Sequence, residues 1–365
     1  MIYLDHGATS FPKPLSVRRS VQDAMLRCAN PGRGSHPAAM AAAEVIYDCR
    51  ETAAELFACQ PEQVVLTSNC THGLNIAIRS LVSPGDPVVI SGFEHNAVTR
   101  PLYALGAQVT VAGRQLFDHI NTLEEFEKAL KKGVKAAVFT HVSNVFGYIL
   151  PVEQMAELCR QYGVKFIVDA AQSAGCLDVN FSELGADFIA MPGHKGLLGP
   201  QGTGLLLCKE GATPLLFGGT GSDSIRKEMP EHLPERLEAG TVNVPGAAGL
   251  TAGLRYVRKM GTGVIFRRER LAAEKTITGL RRLGLRVFAG PHQSGTVSFI
   301  PRGDCEEIAE KLSRRGIGVR AGLHCAPLAH ESAGTLQIGT VRVSFGHDAT
   351  LAQVSEFLRE MAALS

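Results

Sequence analysis

Short apolar segments alternate with helical patterns between residues 64 and 208. Each segment is rich in apolar and β-branched residues and predicts a buried strand. The predicted strands are 64–67, 87–90, 108–111, 136–140, 165–169, 187–190 and 204–208. Between them, segments such as 152–162 carry apolar residues at helical spacing. This alternation predicts an α/β fold with a mainly parallel seven-stranded sheet, in which ligands bind beyond the carboxyl ends of the strands.

A different pattern follows the glycine-rich segment 216–221. It predicts a long helix near 263–283, a strand at 296–300, a helix at 305–315, a strand at 341–345 and a final helix. This order predicts a smaller α+β domain. We therefore expect residues 16–244 to form a large ligand-binding domain, and residues 1–15 to join residues 245–365 in the small one.

Composition excludes several classes of protein. The 365 residues are 45% hydrophobic and carry a net charge of +2, without a basic run, which argues against a nucleic-acid partner. No run of 18 apolar residues and no leader-like amino terminus is visible, so we expect no membrane span and a cytoplasmic location. The nine cysteines include no CxxC pair, so neither a disulfide framework nor a metal site is expected.

Lys195 lies between an apolar run and a glycine-rich turn, in residues 191–204. A lysine in such a tight, largely apolar turn loses hydration, its pKa falls, and the neutral amine can form a Schiff base with an aldehyde. Asp169 ends the strand-like run 165–169 and could keep a pyridinium nitrogen protonated. Together, the two residues are what pyridoxal 5'-phosphate (PLP) chemistry requires. Taken alone, Asp169 would ordinarily be interpreted as a helix cap or turn residue, and Lys195 as a solvated surface charge.

A phosphate site is predicted in residues 67–75, where a strand leads into a helix whose free amides can bind an anion. Thr71 and His72 would donate there, although a plain helix cap by Asn69 or Thr71 explains the same pattern. His95 follows another strand, where its ring could stack on a pyridine face. Asn144 could donate to the phenolic oxygen of the cofactor.

These segments belong to a longer series of motifs, at 3–10, 68–73, 94–96, 143–147, 168–172, 193–195, 237–241 and 320–325. With them, nearly the whole chain resembles the fold-type I, class V aminotransferase-like PLP enzymes, specifically the cysteine desulfurase and selenocysteine lyase family. The resemblance implies the same fold, a PLP cofactor and a homodimer.

The resemblance also implies site roles. Lys195 would bond the cofactor aldehyde and Asp169 the pyridine nitrogen, and His95 would stack on the ring. Near the phenolic oxygen it places Gln172 and Asn144, and around the phosphate Thr71, His72 and His194. In the family, a threonine matching Thr241 reaches the phosphate of the neighbouring subunit, which implies an obligate dimer with a composite active site.

Cys325 decides the reaction type. In a desulfurase, a loop cysteine attacks the sulfur of the substrate and becomes a persulfide. A thiolate is needed, and His324 or a nearby cation could favour it. The alternative is a buried structural thiol. Arg342 matches the arginine that binds the substrate carboxylate in the family, a task that suits its two-pronged guanidinium.

Two positions depart from the family pattern. Pro192 stands where a hydroxyl residue is usual and offers no amide N–H to a phosphate. Leu323 replaces the first histidine of a His-His-Cys sequence. The loop between Cys325 and Arg342 is short, which favours a dedicated small sulfur-acceptor protein as partner, and the missing histidine keeps L-selenocysteine open as a substrate.

The sequence therefore predicts a PLP-dependent desulfurase that converts L-cysteine to L-alanine, with Lys195 also moving the α-proton. The alternatives are a selenocysteine lyase, a class V aminotransferase in which Cys325 is incidental, and a binding module without chemistry. A dinucleotide-binding site in residues 199–204 is disfavoured because that glycine run precedes a strand, whereas the Rossmann fingerprint follows one.

Overall fold

The computed structural model describes residues 1–32, 34–209, 211–221 and 224–364. The strands are β1 (Ile2–Tyr3), β2 (Val64–Thr67), β3 (Pro87–Ser91), β4 (Gln108–Ala112), β5 (Ala136–Thr140), β6 (Lys165–Asp169), β7 (Phe188–Pro192), β8 (Gly204–Cys208), β9 (Arg286–Phe288), β10 (Thr296–Ile300), β11 (Ile317–Gly318), β12 (Arg320–Gly322) and β13 (Thr340–Ser344). The helices are α1 (Leu15–Arg27), α2 (Pro37–Phe57), α3 (Cys70–Leu81), α4 (Asn96–Ala104), α5 (His119–Lys131), α6 (Val152–Tyr162), α7 (Phe181–Leu184), α8 (Val244–Met260), α9 (Thr262–Arg282), α10 (Cys305–Arg314), α11 (Pro327–Ala333) and α12 (Leu351–Ala362).

The seven predicted strands form one mixed sheet in the order β2-β8-β7-β6-β5-β3-β4. Strand β8 runs antiparallel to β2 and β7, and the other pairs are parallel. The fold-type I α/β prediction is confirmed. The carboxyl ends of β3, β5, β6 and β7 meet along one edge, so polar residues that follow these strands are brought together there.

Burial explains why these segments form strands and helices. Strand β5 is buried at every position, as expected for a central strand covered on both faces. Helix α6 buries Met155, Ala156 and Cys159 on one face, and it ends where Gly163 adopts a left-handed φ of 65°. The hydrophobic pattern thus fixes the layers, and Gly163 allows the turn from α6 into β6.

A second apolar core lies in the carboxyl-terminal part. The antiparallel sheet β12-β13-β10-β9 packs with α9, α10 and α12, and Leu4 from the amino-terminal segment joins this core. Strand β1 pairs with β11 in parallel. Helix α8 instead adds Val244, Leu250 and Leu254 to the large core. The division into residues 16–244 and 1–15 with 245–365 stays a prediction.

Helix lengths and apolarity bear on membrane insertion. Across the described residues, no helix combines the length and the hydropathy needed to cross a bilayer.

Candidate active site

A cavity of about 290 Å³ opens at the carboxyl edge of the large sheet. Nine of the eleven residues predicted for the site line it: Thr71, His95, Asn144, Asp169, Gln172, His194, Lys195, Cys325 and Arg342. They come from seven segments that are separated in sequence. The chain therefore gathers its chemically active side chains at the place where parallel α/β sheets bind ligands.

Lys195 lies just beyond β7 in a tight turn. The next residue is Gly196, where an added Cβ would stand 2.3 Å from the Ala174 carbonyl oxygen, so only glycine fits there. Burial lowers the pKa of Lys195, while the negative charge of Asp169 opposes that fall. The turn therefore presents an amine that releases its proton more readily than a solvated lysine.

The amino-terminal segment fixes this turn. The carbonyl oxygen of His194 accepts hydrogen bonds from the Ser10 backbone N–H at 3.0 Å and from Lys13 Nζ at 2.7 Å. The His194 ring lies 3.1 Å from the Thr9 hydroxyl. Burial lowers the pKa of His194 to about 4, so this imidazole stays neutral near pH 7.

Asp169 ends β6 and is only 2% exposed. Its Oδ1 accepts from the Ala171 backbone N–H at 2.9 Å and from the Cys70 thiol at 3.4 Å. Cys70 begins α3, and its contact with Asp169 was missed by sequence reasoning. The carboxylate is thus oriented from one side while its residue still lines the cavity.

His95 precedes α4 and caps it. Its Nδ1 accepts from the Ala97 backbone N–H at 3.0 Å, so the neutral ring carries its proton on Nε2. Burial lowers the pKa of His95, although Asp169 opposes the shift. The ring is therefore a fixed, neutral donor at the cavity wall.

The predicted phosphate residues divide between two cavities. Asn69 caps α3 by accepting from the His72 backbone N–H at 2.8 Å, and Thr71 and His194 line the cavity of Lys195. His72 lines a second cavity of about 270 Å³, in which Thr241 also lies. Within one chain, the structure does not bring His72 and Thr241 together with Lys195.

Arg342 is 2% exposed and lies on β13. Its Nη2 donates to Asp5 Oδ1 at 2.7 Å and its Nη1 to the Asn144 carbonyl oxygen at 2.9 Å. Its buried Nε has no hydrogen-bond partner among the described residues. Asp5 also accepts from Arg320 Nε at 3.0 Å. Sequence reasoning missed Asp5 and Arg320, although both lie within motifs that it quoted.

Cys325 is exposed at the rim of the cavity. The preceding His324 is buried, and its Nε2 lies 3.2 Å from the Thr340 carbonyl oxygen. Burial, aided by the positive charge of Arg342, lowers the pKa of His324 to about 2, so the ring is neutral. The prediction that His324 favours the thiolate is therefore wrong, because a neutral ring directed at Thr340 supplies no positive charge. The guanidinium groups of Arg320 and Arg342 belong to residues that line the same cavity as Cys325.

A parallel-sheet edge that carries a lysine, an aspartate and a buried arginine in one cavity is the architecture of fold-type I α/β enzymes. Residues 2–357 match the family Aminotransferase class-V, and the chain belongs to that family. The resemblance seen in the sequence motifs is thereby confirmed.

Within this family, the chain is similar to proteins that are named cysteine desulfurases. A probable cysteine desulfurase of Pyrococcus abyssi is 35% identical over 98% of this chain and 92% of its own length. A probable cysteine desulfurase of Methanothermobacter thermautotrophicus is 31% identical over 100% of this chain and 95% of its own length. The apo structure of a cysteine desulfurase from Thermococcus onnurineus NA1 superposes with a TM-score of 0.92 at 33% identity, covering 100% of this chain and 94% of that one.

Proposed function

We propose that this protein is a PLP-dependent cysteine desulfurase that converts L-cysteine to L-alanine and transfers the sulfur to Cys325. The similar proteins named above support the reaction class. The observation that carries the proposal is the exposed thiol of Cys325 at the rim of the cavity that holds Lys195 and Arg342. A nucleophile, an amine of lowered pKa and a carboxylate-binding arginine then face one substrate.

The residues present fit PLP. Lys195 supplies an amine for its aldehyde, and Asp169 supplies a buried carboxylate for its ring nitrogen. His95 offers a flat ring, Gln172 and Asn144 offer amides for the phenolic oxygen, and Thr71 and His194 offer donors for the phosphate. When bound, PLP supplies an electron sink for negative charge that develops at the α-carbon of the substrate.

Arg342 is suited to the carboxylate of L-cysteine. Two of its nitrogens are held by Asp5 and the Asn144 carbonyl, which fixes the plane of the guanidinium. Its buried Nε–H has no acceptor within the described part of the chain, and a buried donor left unpaired is costly. A substrate carboxylate would satisfy that N–H and a neighbouring one together, in the paired geometry that arginine favours.

Proton movement falls to Lys195 and His95. A lysine with lowered pKa can be neutral at working pH, and it is then able to take the α-proton of the substrate and later return one. His95 holds a proton on Nε2 because Nδ1 is occupied by the Ala97 amide. We assign His95 the role of a proton and hydrogen-bond donor that would act through Nε2 when the cofactor is bound.

The sulfur step balances without an external oxidant. The Cys325 thiolate attacks the substrate sulfur and forms an S–S bond, while the carbon–sulfur bond breaks and its electron pair stays with carbon. The carbon fragment gains protons and leaves as L-alanine, and Cys325 becomes a persulfide. An added thiol then reduces the persulfide, is itself oxidised to a disulfide and releases sulfide.

Quantifying L-alanine and sulfide from L-cysteine tests the proposal, with wild type and Cys325→Ala side by side and a thiol reductant present. A desulfurase yields equal amounts of both products, and only in wild type. L-Alanine with undiminished sulfide from Cys325→Ala would contradict the role of the thiol. Turnover confined to L-selenocysteine would favour a selenocysteine lyase, and turnover that needs a keto acid would favour an aminotransferase.

The partners belong to the same proposal. We infer a homodimer with a composite site, because Thr241 lies with His72 in a cavity separate from that of Lys195 in its own chain. The short loop that carries Cys325 favours a small sulfur-acceptor protein that approaches the rim. All nine cysteines are free thiols, which supports a reducing compartment such as the cytoplasm.

A further inference from the structure

The turn that carries the nucleophile has an uncommon backbone. His324 and Cys325 have φ values of 51° and 57°, both in the left-handed region. Residues other than glycine rarely adopt this region, and two in succession persist only where the surroundings hold them. The conformation of this turn therefore depends on its contacts.

Three contacts hold the turn. The Cys325 carbonyl oxygen accepts from the Asn96 backbone N–H at 2.8 Å. The His324 carbonyl oxygen accepts from Asn144 Nδ2, also at 2.8 Å. The buried His324 ring contacts the carbonyl and hydroxyl oxygens of Thr340. The peptide group that joins His324 to Cys325 is thus fixed by a side chain that lines the cofactor cavity.

Asn144 has a second contact that links the turn to the substrate site. Its backbone carbonyl oxygen accepts from Arg342 Nη1 at 2.9 Å. The side chain is buried, and its Oδ1 has no partner among the described residues. One residue therefore holds both the guanidinium that we assign to the substrate carboxylate and the turn that carries the thiol.

We propose that Asn144 is a positioning residue for Cys325. Its amide keeps the strained turn in place, and its backbone sets the distance between the Arg342 guanidinium and the thiol. The second N–H of Nδ2 stays available to the phenolic oxygen of the cofactor. That Asn144 holds the turn is inferred from the geometry alone. That the turn positions Cys325 for sulfur transfer rests on the proposed function.

Hydrogen–deuterium exchange of the PLP-loaded full chain tests the inference directly. Asn144→Asp keeps the size of the side chain but removes its donor, and Asn144→Ala removes the side chain. The amides to follow are those of Asn96, bonded to Cys325, and Ala326, bonded to the Leu323 carbonyl. We expect both to exchange about fivefold faster in each variant, because a lost hydrogen bond favours local opening.

Gln172→Glu is the matched control, since Gln172 lines the same cavity but donates to the Gly7 carbonyl and not to the turn. It should leave the Asn96 and Ala326 exchange rates at the wild-type values. Wild-type exchange in both Asn144→Asp and Asn144→Ala would overturn the proposal, as would equal acceleration in Gln172→Glu.

A kinetic measurement distinguishes a role of Asn144 in positioning Cys325 from a general loss of activity in the variant. In Asn144→Asp, sulfur transfer to Cys325 should fall at least tenfold more than exchange of the substrate α-hydrogen with solvent, because only the former needs the thiol in place. Equal losses would contradict a positioning role. If wild type forms no persulfide from L-cysteine, the proposed function fails, while the amide exchange still decides whether Asn144 holds the turn.

Discussion

Lys195 shows how burial prepares a single side chain. The cavity wall lowers its pKa by desolvation, and Asp169 limits the shift without cancelling it. The contacts of Ser10 and Lys13 with the preceding carbonyl fix where the amine points. Its reactivity is thus a product of position more than of its immediate sequence.

Replacing Lys195 should abolish catalysis. In Lys195→Ala the amine that bonds the cofactor and moves the α-proton is lost, so we expect kcat to fall by at least a thousandfold. The visible absorbance of the bound cofactor should shift to that of the free aldehyde, and borohydride should no longer link it to the chain. Retained covalent trapping would show that another amine is the attachment point.

Arg342→Lys should separate binding from chemistry. Lysine keeps the charge but cannot pair two N–H groups with a carboxylate, so KM for L-cysteine should rise about 10- to 100-fold with a smaller change in kcat. Steady-state kinetics measures both values. An unchanged KM would place the substrate carboxylate elsewhere in the cavity.

The residues that sequence reasoning missed share one physical cause. Asp5 and Arg342 are 337 positions apart in sequence, and Cys70, at the start of α3, is 99 positions before Asp169, so no local spacing reveals either contact. The wrong prediction for His324 has the same origin, since only the folded structure buries that ring against Thr340. Lys195 and Asp169 were predictable because each lies at or just beyond the end of an apolar run that predicts a strand.

Among the secondary-structure elements, strands β3 and β5 enclose an ionisable group beneath the site. Glu94 is fully buried, and its Oε1 accepts from the Thr140 backbone N–H at 2.9 Å and from the Ser91 hydroxyl. Its Oε2 has no partner among the described residues. Burial raises the pKa of Glu94 to about 8, so it is largely protonated near pH 7.

Stability should consequently depend on pH through Glu94. The folded chain keeps this proton up to about pH 8, whereas the unfolded chain releases it near its ordinary value of about 4.5. The contribution of the Glu94 proton to the free energy of unfolding is therefore full below about pH 4.5 and is lost as the pH rises through 8. Glu94→Gln should remove this dependence, with a relative gain of roughly 2 kcal/mol between pH 6 and pH 8.

Urea unfolding of wild type and Glu94→Gln at both pH values measures that difference. Parallel free-energy changes in the two proteins would show that Glu94 ionises normally. Because both proteins share every other titrating group, the comparison isolates this carboxyl from Glu269, whose pKa burial also raises to about 8.

The strands themselves were predictable because each is a short apolar run between turn residues. All seven of the large sheet were found, and the remaining error lies at their ends. Strand β7 was expected from residue 187 but begins at Phe188, since the Asp187 carboxylate instead accepts from the Phe166 backbone N–H at 2.9 Å. The hydrogen bond of Asp187 to the neighbouring strand β6 thus explains why β7 begins one residue later than predicted.

At the scale of the whole molecule, the amino-terminal segment joins the two apolar cores. Leu4 packs in the smaller core, Asp5 holds Arg342, and Ser10 and Lys13 hold the turn of Lys195. Periodicity cannot reveal this role because the segment has almost no regular secondary structure.

A composite dimer makes a distinctive prediction about mixed subunits. If Thr241 serves the partner's phosphate, Thr241→Ala alone should weaken PLP binding about 10- to 100-fold, as expected for a lost hydrogen bond to a charged group. Dimers that combine one Thr241→Ala subunit with one Lys195→Ala subunit should regain one intact site. Titration of purified mixed dimers that shows no tight site would contradict the composite arrangement.

Transfer of the L-cysteine sulfur to Cys325 is the step on which the proposed reaction depends. The most direct test is intact mass spectrometry of the PLP-loaded protein after one equivalent of L-cysteine, without reductant, followed by peptide mapping. We expect a gain of one sulfur atom on Cys325 in wild type and none in Cys325→Ala. A sulfur atom on another cysteine, or L-alanine formed without any sulfur on the protein, would contradict it.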